Sequence, residues 1–555
     1  MKFENYYYQA LCALRIILAC FPQTGYIHPD EHFQGPEIVY GDVLNLKVHK
    51  TWEFTEEKPI RNVVFPYFII GFPALLADFL GLKNLHGTSL FPYILLVMPR
   101  IIMCFLSFLN DLLIYKVCIL LKKDHKISLL LFASSYVTIV YLTRTFSNCL
   151  EVLFFNHVVF ILCNFLYIQK TCKNSEVNKF TTCLKLSFLL GVTVATGIFN
   201  RPTFVCFTIF PVSLFFFLTL QHEKKFKNCI SYLIFFGTGG LCILFSFIAI
   251  DSFYYNKMHY TSLFDLQKYV TITPLNFILY NINQKNLNAH GLHSHWLHLC
   301  VNIPLLFSLY GIVMVLYLFR YLSKISKQNF LKHEIFLLLS FGSPLLLLSL
   351  VPHQEPRFLI PLLVPLILLQ CFFPVNKVFR QDVFIYLWSI QNIFGILFFG
   401  YLHQSGVYLS LSYIHSSLLD HSKCALVFYK TYMPPRYMLG LTDEYNNVGI
   451  YDFAGINTDE LEGLIDNLIF QSKPKFIHVV VPHEVSLLVQ NLNAFRSNCK
   501  FLQRKYKTPH LSTESLPKYN EFMDVVNANS SLLQKIHQIK RMFSIYILTF
   551  KVNIS

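Results

Sequence analysis

The sequence predicts a polytopic α-helical membrane protein that ends in an α/β appendage. Three observations predict it. Of 555 residues, 54% are apolar and only 14% charged, against roughly 25% charged in an ordinary soluble protein. The apolar residues, with 56 Phe among them, gather in runs near the 20 or so residues that cross a hydrocarbon core. Past residue 403 these runs give way to short β-branched and aromatic stretches. The balance excludes a disordered chain, a collagen or coiled-coil rod and a single soluble domain. A net charge of +15 raises nucleic acid as a partner. The basic residues, however, sit in short clusters between apolar runs with no nucleic-acid-binding signature, so none is expected. The 15 Cys form no CxxC pair and read as small hydrophobes, not as a disulfide framework or zinc site.

Taken in order, the runs predict about 11 transmembrane helices, near 7–22, 91–120, 127–143, 149–168, 183–199, 203–220, 230–250, 298–320, 334–351, 357–373 and 382–402. The stretch 63–81 is also apolar but is broken by Pro66, Pro73 and Asp78, and is read as re-entrant or interfacial. Lys2 precedes the first run and no clear small-residue cleavage site follows it, so it is expected to be an uncleaved anchor. Basic clusters set the orientation: Lys122, Lys123 and Lys126; Lys170, Lys173 and Lys179; Lys224, Lys225 and Lys227; Arg320, Lys324, Lys327 and Lys332; then Lys377 and Arg380. Neighbouring clusters are two spans apart, which puts all of them and the N-terminus in the cytosol. The expected domains are thus a membrane domain, 1–402, with a first non-cytosolic loop at about 23–90, and a non-cytosolic α/β domain, 403–555. In the latter, strand-like runs occur at 425–429, 448–453, 476–481 and 543–550, and an amphipathic helix is expected to start near Thr458-Asp459-Glu460. Sequons at Asn529 and Asn553 fit that side.

The unusual polar residues fall in the non-cytosolic loops. His28-Pro29-Asp30-Glu31-His32-Phe33-Gln34 follows the first span. Proline and acids there also suit a plain helix start, but a carboxylate held at the bilayer surface can take a proton from a hydroxyl. Arg201, in Asn200-Arg201-Pro202-Thr203-Phe204, is either a snorkelling anchor or a phosphate ligand, a task that suits the forked guanidinium. The loop at about 251–297 carries Tyr280-Asn281 and the His290-Gly291-Leu292-His293-Ser294-His295-Trp296 run, residue types that hydrogen-bond and stack on sugars. No third ligand has a clear place beside His293 and His295, so no metal is expected. Pro352-His353-Gln354-Glu355-Pro356-Arg357-Phe358 forms a tight turn between two spans, in which an Arg–Glu pair tying two helices is the plain reading. Tyr432 to Tyr437 reads as a packing turn. Arg100 and Asp111 lie within one span, on nearly one face but about 16 Å apart along its axis. Each therefore needs another partner or a wet cavity.

His28-Pro29-Asp30-Glu31 resembles the first signature of the glycosyltransferase family 22 mannosyltransferases, and His353 to Phe358 resembles their second. Gln23 to Ile27, Asn200 to Phe204, Tyr280-Asn281, Asn286-Leu287, His290-Gly291 and Thr431 to Arg436 further resemble the GPI mannosyltransferase 4 branch. His32 departs from the aromatic residue usual in the family, and Gly35 from the usual Ser. The resemblance implies a GT-C fold in the endoplasmic reticulum membrane with a luminal active site. It also implies dolichyl-phosphate mannose as donor and a GPI glycolipid precursor as acceptor, which gains its fourth mannose. For an inverting single displacement, Asp30 is assigned as base, with Glu31 as its substitute or the orienter of the acceptor hydroxyl. Arg201 and Arg357, with His353, meet the phosphate; His28, Tyr280, Asn281, His290 and Glu355 complete the substrate contacts. A lipid phosphate leaves with less charge than a nucleoside diphosphate, so no cofactor or metal is expected. Rival readings are a mannosyltransferase for an earlier GPI mannose or for the N-glycan lipid precursor, and, in another class, a membrane transporter. The chain lacks the repeat of broken helices that a transporter usually shows.

Overall fold

In a computed structural model, residues 6–21, 23–171, 176–222, 226–256, 270–283, 285–286, 291–322, 333–374, 380–418, 423–442 and 447–553 are described. Seven helices among them are long and apolar enough to cross a membrane: Leu90–Leu120, Ser147–Gln169, Lys179–Asn200, Pro202–Gln221, Phe226–Asn256, His298–Tyr321 and Gln381–Leu402. Shorter apolar helices occupy Tyr6–Cys20, Val64–Phe79, His333–Ser349 and Pro356–Leu369. The expected span at 127–143 is divided: a helix at Lys126–Ser134 stops where Ser135 turns extended, and a π turn follows at Val137–Tyr141. The structure thus shows a polytopic helical protein, with seven helices of spanning length and four shorter apolar ones among the described residues.

The chain divides into two compact units. One comprises Met1–Ile17, Thr51–Phe68 and Ile101–Ile393; the other comprises Leu18–Lys50, Ile69–Arg100 and Phe394–Ser555.

In the first unit, helices Lys179–Asn200 and Phe226–Asn256 pack backbone to backbone. A Cβ on Gly191 would run into the Phe236 carbonyl, and one on Gly239 into that of Phe188. Small residues allow this approach between apolar helices, where dispersion and not water exclusion drives association. Here Asp111 finds its partner. Arg15 Nη1 lies 2.7 Å from Asp111 Oδ2 and Nη2 3.2 Å from Oδ1, while the Tyr8 hydroxyl donates to Oδ1 at 3.0 Å. Arg15 is wholly buried, so the pair satisfies two charges that would otherwise be stranded in an apolar setting.

The second unit is built on a five-stranded sheet. Its strands are β1 (Cys424–Tyr429), β2 (Val448–Phe453), β3 (Phe476–Pro482), β4 (Cys499–Lys507) and β5 (Ile545–Val552), in the order β2-β1-β3-β5-β4. β1 is parallel to β2 and β3; β5 is antiparallel to β3 and β4. The four strand-like runs in the sequence are β1, β2, β3 and β5. β4 escaped notice because it carries Lys500, Arg504, Lys505 and Lys507. Such charges protect an edge strand from pairing with other chains. The helix Thr458–Ser472 starts where expected and buries Leu461, Ile465, Leu468 and Ile469 against the sheet, a stripe at helical spacing.

Gly25 links the first loop to this unit. Its N–H donates to Gly400 O at 2.7 Å, and the Tyr26 N–H to His403 O at 2.7 Å. A side chain at residue 25 would overlap the Phe399 carbonyl, so this close approach requires glycine.

Candidate active site

The predicted site residues fall into both units. In the second, Asp30–Phe33 forms a single helical turn. Because successive side chains on a helix diverge by 100°, the two acids meet different surroundings. Glu31 is buried, with Oε1 held by Arg100 Nε at 3.1 Å and Nη2 at 2.6 Å. Arg100 Nη1 donates to Gln23 O at 2.7 Å. The second intramembrane charge thereby finds its partner 69 residues away.

Asp30 keeps 24% of its side chain exposed. Gln34 Nε2 donates to its Oδ2 at 2.5 Å. His28 Nδ1 accepts the Asp30 N–H at 3.2 Å and lies 3.4 Å from Oδ1. One ring nitrogen cannot accept and donate at once, so the His28 tautomer selects between these contacts.

His32, the departure from the family pattern, is buried between two tyrosines: Nδ1 lies 2.9 Å from Tyr437 Oη and Nε2 2.5 Å from Tyr408 Oη. Tyr26 donates to Met433 O at 2.9 Å, and Glu37 accepts the backbone N–H groups of Arg436 and His49. Burial pushes the Glu37 carboxyl up to about 8, although those two N–H groups and the Arg436 charge pull it down. The Tyr432–Tyr437 segment, read as a packing turn, is thus fastened to the loop that carries Asp30.

In the first unit, Arg201 Nε stands 3.6 Å from Glu151 Oε2 and its Nη1 donates to Ser147 Oγ at 3.1 Å. Asn148 and Thr203 also donate to Glu151. The Arg357 Nε and Nη2 atoms grip Glu355 at 2.5 and 2.8 Å, so the expected Arg–Glu pair is present. His353 Nε2 lies 2.9 Å from Glu355 Oε1.

The structure brings Arg201 and Arg357 to one ring, with guanidinium carbons 5.2 and 5.7 Å from the Phe358 centroid. It also fastens the histidine loop to the turn. His293 N–H donates to Pro352 O at 2.8 Å, and Gln354 N–H to His293 Nδ1 at 3.3 Å.

Tyr280 stacks on Trp52 at 4.5 Å, and Asn281 bonds to Phe277 O of its own helix. His290 lies outside the described residues. Sequence reasoning passed over Glu151, Ser147 and Trp52, and over Arg144, which is fully buried. The available signal was a glutamate inside an apolar run, which is costly unless paired. Among the described residues, no group of three or more His, Cys, Asp or Glu is placed to hold a metal ion.

The hydrogen bond to Glu355 raises the His353 pKa above its usual 6.5, against burial and Arg357. A histidine raised on folding contributes stability that is complete below its unfolded value and fades as pH climbs through the raised one. Between about pH 6 and 8, the wild-type melting temperature should therefore fall more than that of His353→Gln. Parallel curves for the two proteins would remove this coupling.

The profile of the Alg9-like mannosyltransferase family matches residues 6–439. Human GPI alpha-1,2-mannosyltransferase 4 is 34% identical over 470 residues, covering 80% of this chain and 78% of the human one. GPI mannosyltransferase 4 of Emericella nidulans is 32% identical over 92% of this chain and 93% of its own. Among solved structures, the archaeal oligosaccharyltransferase AglB from Archaeoglobus fulgidus aligns over 92% of this chain and 74% of its own, with 10% identity and a TM-score of 0.44. ArnT from Cupriavidus metallidurans aligns over 89% and 96%, with 9% identity and a TM-score of 0.42.

Proposed function

The chain belongs to the Alg9-like mannosyltransferase family and is a glycosyltransferase, and from that premise we propose that it adds the fourth mannose to a GPI-anchor precursor. Dolichyl-phosphate mannose is the donor, and the new bond is α1,2 to the third mannose. The work is done at the luminal face of the endoplasmic reticulum membrane, with the N-terminus in the cytosol. One observation carries the reading: the family match takes in residues 6–439, and the relatives that align over 80% and 92% of this chain, from human and Emericella nidulans, are by name a GPI alpha-1,2-mannosyltransferase 4 and a GPI mannosyltransferase 4.

The proposed reaction is one displacement. The acceptor hydroxyl oxygen forms a bond to the anomeric carbon as the bond from that carbon to the phosphate oxygen breaks. The hydroxyl proton passes to Asp30, and the electron pair of the broken bond leaves on the lipid phosphate. Asp30 suits the base role because its carboxylate stays partly exposed, whereas Glu31 is committed to Arg100 and serves to position its neighbour. Arg201 and Arg357 are proposed to receive the phosphate, since guanidinium groups bond phosphate oxygens in pairs. His353, bonded to Glu355, supports Arg357 in that role. The polar and aromatic groups of Tyr280, Asn281, His290 and His28 are assigned to the sugars of the acceptor.

The test is to supply radiolabelled dolichyl-phosphate mannose and a three-mannose GPI precursor to microsomes containing the protein. A four-mannose lipid is the expected product. Labelling only of shorter GPI lipids or of the N-glycan precursor would point to the rival acceptors, and uptake into vesicles without new glycolipid would point to transport. Turnover by the purified protein should also survive EDTA. Loss of turnover that added divalent cation restores would refute metal independence.

A further inference from the structure

Away from these residues, the first unit has a lateral groove between helices Leu90–Leu120 and Ser147–Thr171. Its volume is about 290 Å³, and it is lined by Tyr115, Lys116, Ile119, Leu120, Phe160 and Asn164. That is room for about ten water-sized volumes: enough for a phosphodiester headgroup with the start of its chains, and too small for a whole lipid. The walls are mainly hydrocarbon. Among the described lining residues, Tyr115, Asn164 and Lys116 have polar side chains, and of these Lys116 alone carries a charge. The ammonium lies 5.8 Å from the Phe160 ring centroid, so it reaches across the groove toward the facing helix.

Depth fits this chemistry. At 1.5 Å per residue, the 31 residues of Leu90–Leu120 run about 46 Å, against a hydrocarbon core of about 30 Å. The last turns of the helix therefore stand at headgroup level, where Lys116 sits one turn before the end and Lys122 and Lys123 follow. His157 lies on the same helix face as Phe160 and Asn164, but its Nδ1 is engaged with Thr193 Oγ1 at 2.8 Å. None of the described lining residues is acidic, so none competes for the ammonium.

We propose that this groove is a binding site for an anionic phospholipid of the leaflet facing Lys122 and Lys123. The phosphate lies on Lys116 within reach of Asn164 and Tyr115, and an acyl chain lies along Ile119 and Phe160. The site is separate from the transfer chemistry and does not depend on which mannose is added.

Native mass spectrometry of the full chain in detergent, titrated with phosphatidylglycerol or phosphatidylcholine, tests the proposal. Wild type should hold phosphatidylglycerol at concentrations where phosphatidylcholine leaves no adduct. Lys116→Gln should bind it about fivefold more weakly, the loss expected for one cation at a membrane surface, and Lys116→Arg should restore it. Ile119→Trp, which fills the groove and keeps the charge, should also lose the adduct and checks the same site should Lys116→Gln not fold. Equal retention of the two lipids by wild type, or undiminished binding in both Lys116→Gln and Ile119→Trp, would overturn it.

Discussion

Asp30→Asn is expected to cut mannosyl transfer by about 10²–10⁴-fold, the usual worth of a general base, while leaving the fold intact. Asparagine matches the carboxylate in size, and its amide oxygen can still accept from Gln34 Nε2, which now donates to Asp30 Oδ2 at 2.5 Å. Its partly exposed position means that no buried charge is stranded. The change therefore removes basicity and little else. The diagnostic measurement compares the initial rate of four-mannose lipid formation with the melting temperature of the purified variant. A variant that melts like wild type and transfers mannose within about threefold of its rate would end the assignment of Asp30 as base.

Arg100→Leu should act in the opposite way, through stability. Glu31 would be left buried without its guanidinium, and breaking a buried pair by removing one partner costs about 3–5 kcal/mol. The Gln23 carbonyl would lose its donor as well. Adding Glu31→Gln to Arg100→Leu removes the stranded charge and should recover much of the loss, because the neutral double variant no longer holds a carboxylate in a dry site. Thermal unfolding in detergent of wild type, both single variants and the double variant gives the coupling. Additive effects would show that the two residues do not depend on one another. With Asp30→Asn, this cycle separates the adjacent acids into a chemical and a positioning role.

Much of the layout was legible because a bilayer restricts what a chain can do inside it. Backbone groups in hydrocarbon must bond internally, so apolar runs become helices. Strands β1, β3 and β5 were legible for a related reason: strands buried in a sheet are nearly continuous apolar runs, while β2, at the other edge, was legible from its β-branched and aromatic residues. The edge strand β4 was not, since its sequence is written for water. The division of the span expected at 127–143 as one helix was not legible because hydropathy does not register a single extended residue, Ser135, that interrupts a helix. Glu151 was hidden for a similar reason: averaging over an apolar window conceals one charge, and only the fold shows Arg201 beside it.

The sequence by itself determined that the chain spans a membrane and that few charges lie within its apolar runs, because burial of apolar surface and the cost of charge in hydrocarbon act on composition alone. It also showed that Arg100 and Asp111 needed partners. Tertiary structure alone decided who those partners are, bringing Glu31 to Arg100 and Arg15 to Asp111. It likewise brought Tyr408 and Tyr437 to His32 across 376 and 405 residues. Asp30 and Glu31 are nearly the same acid on paper. They differ because a helical turn points one toward a buried guanidinium and leaves the other partly in solvent, and a carboxylate's chemistry is set by what surrounds it.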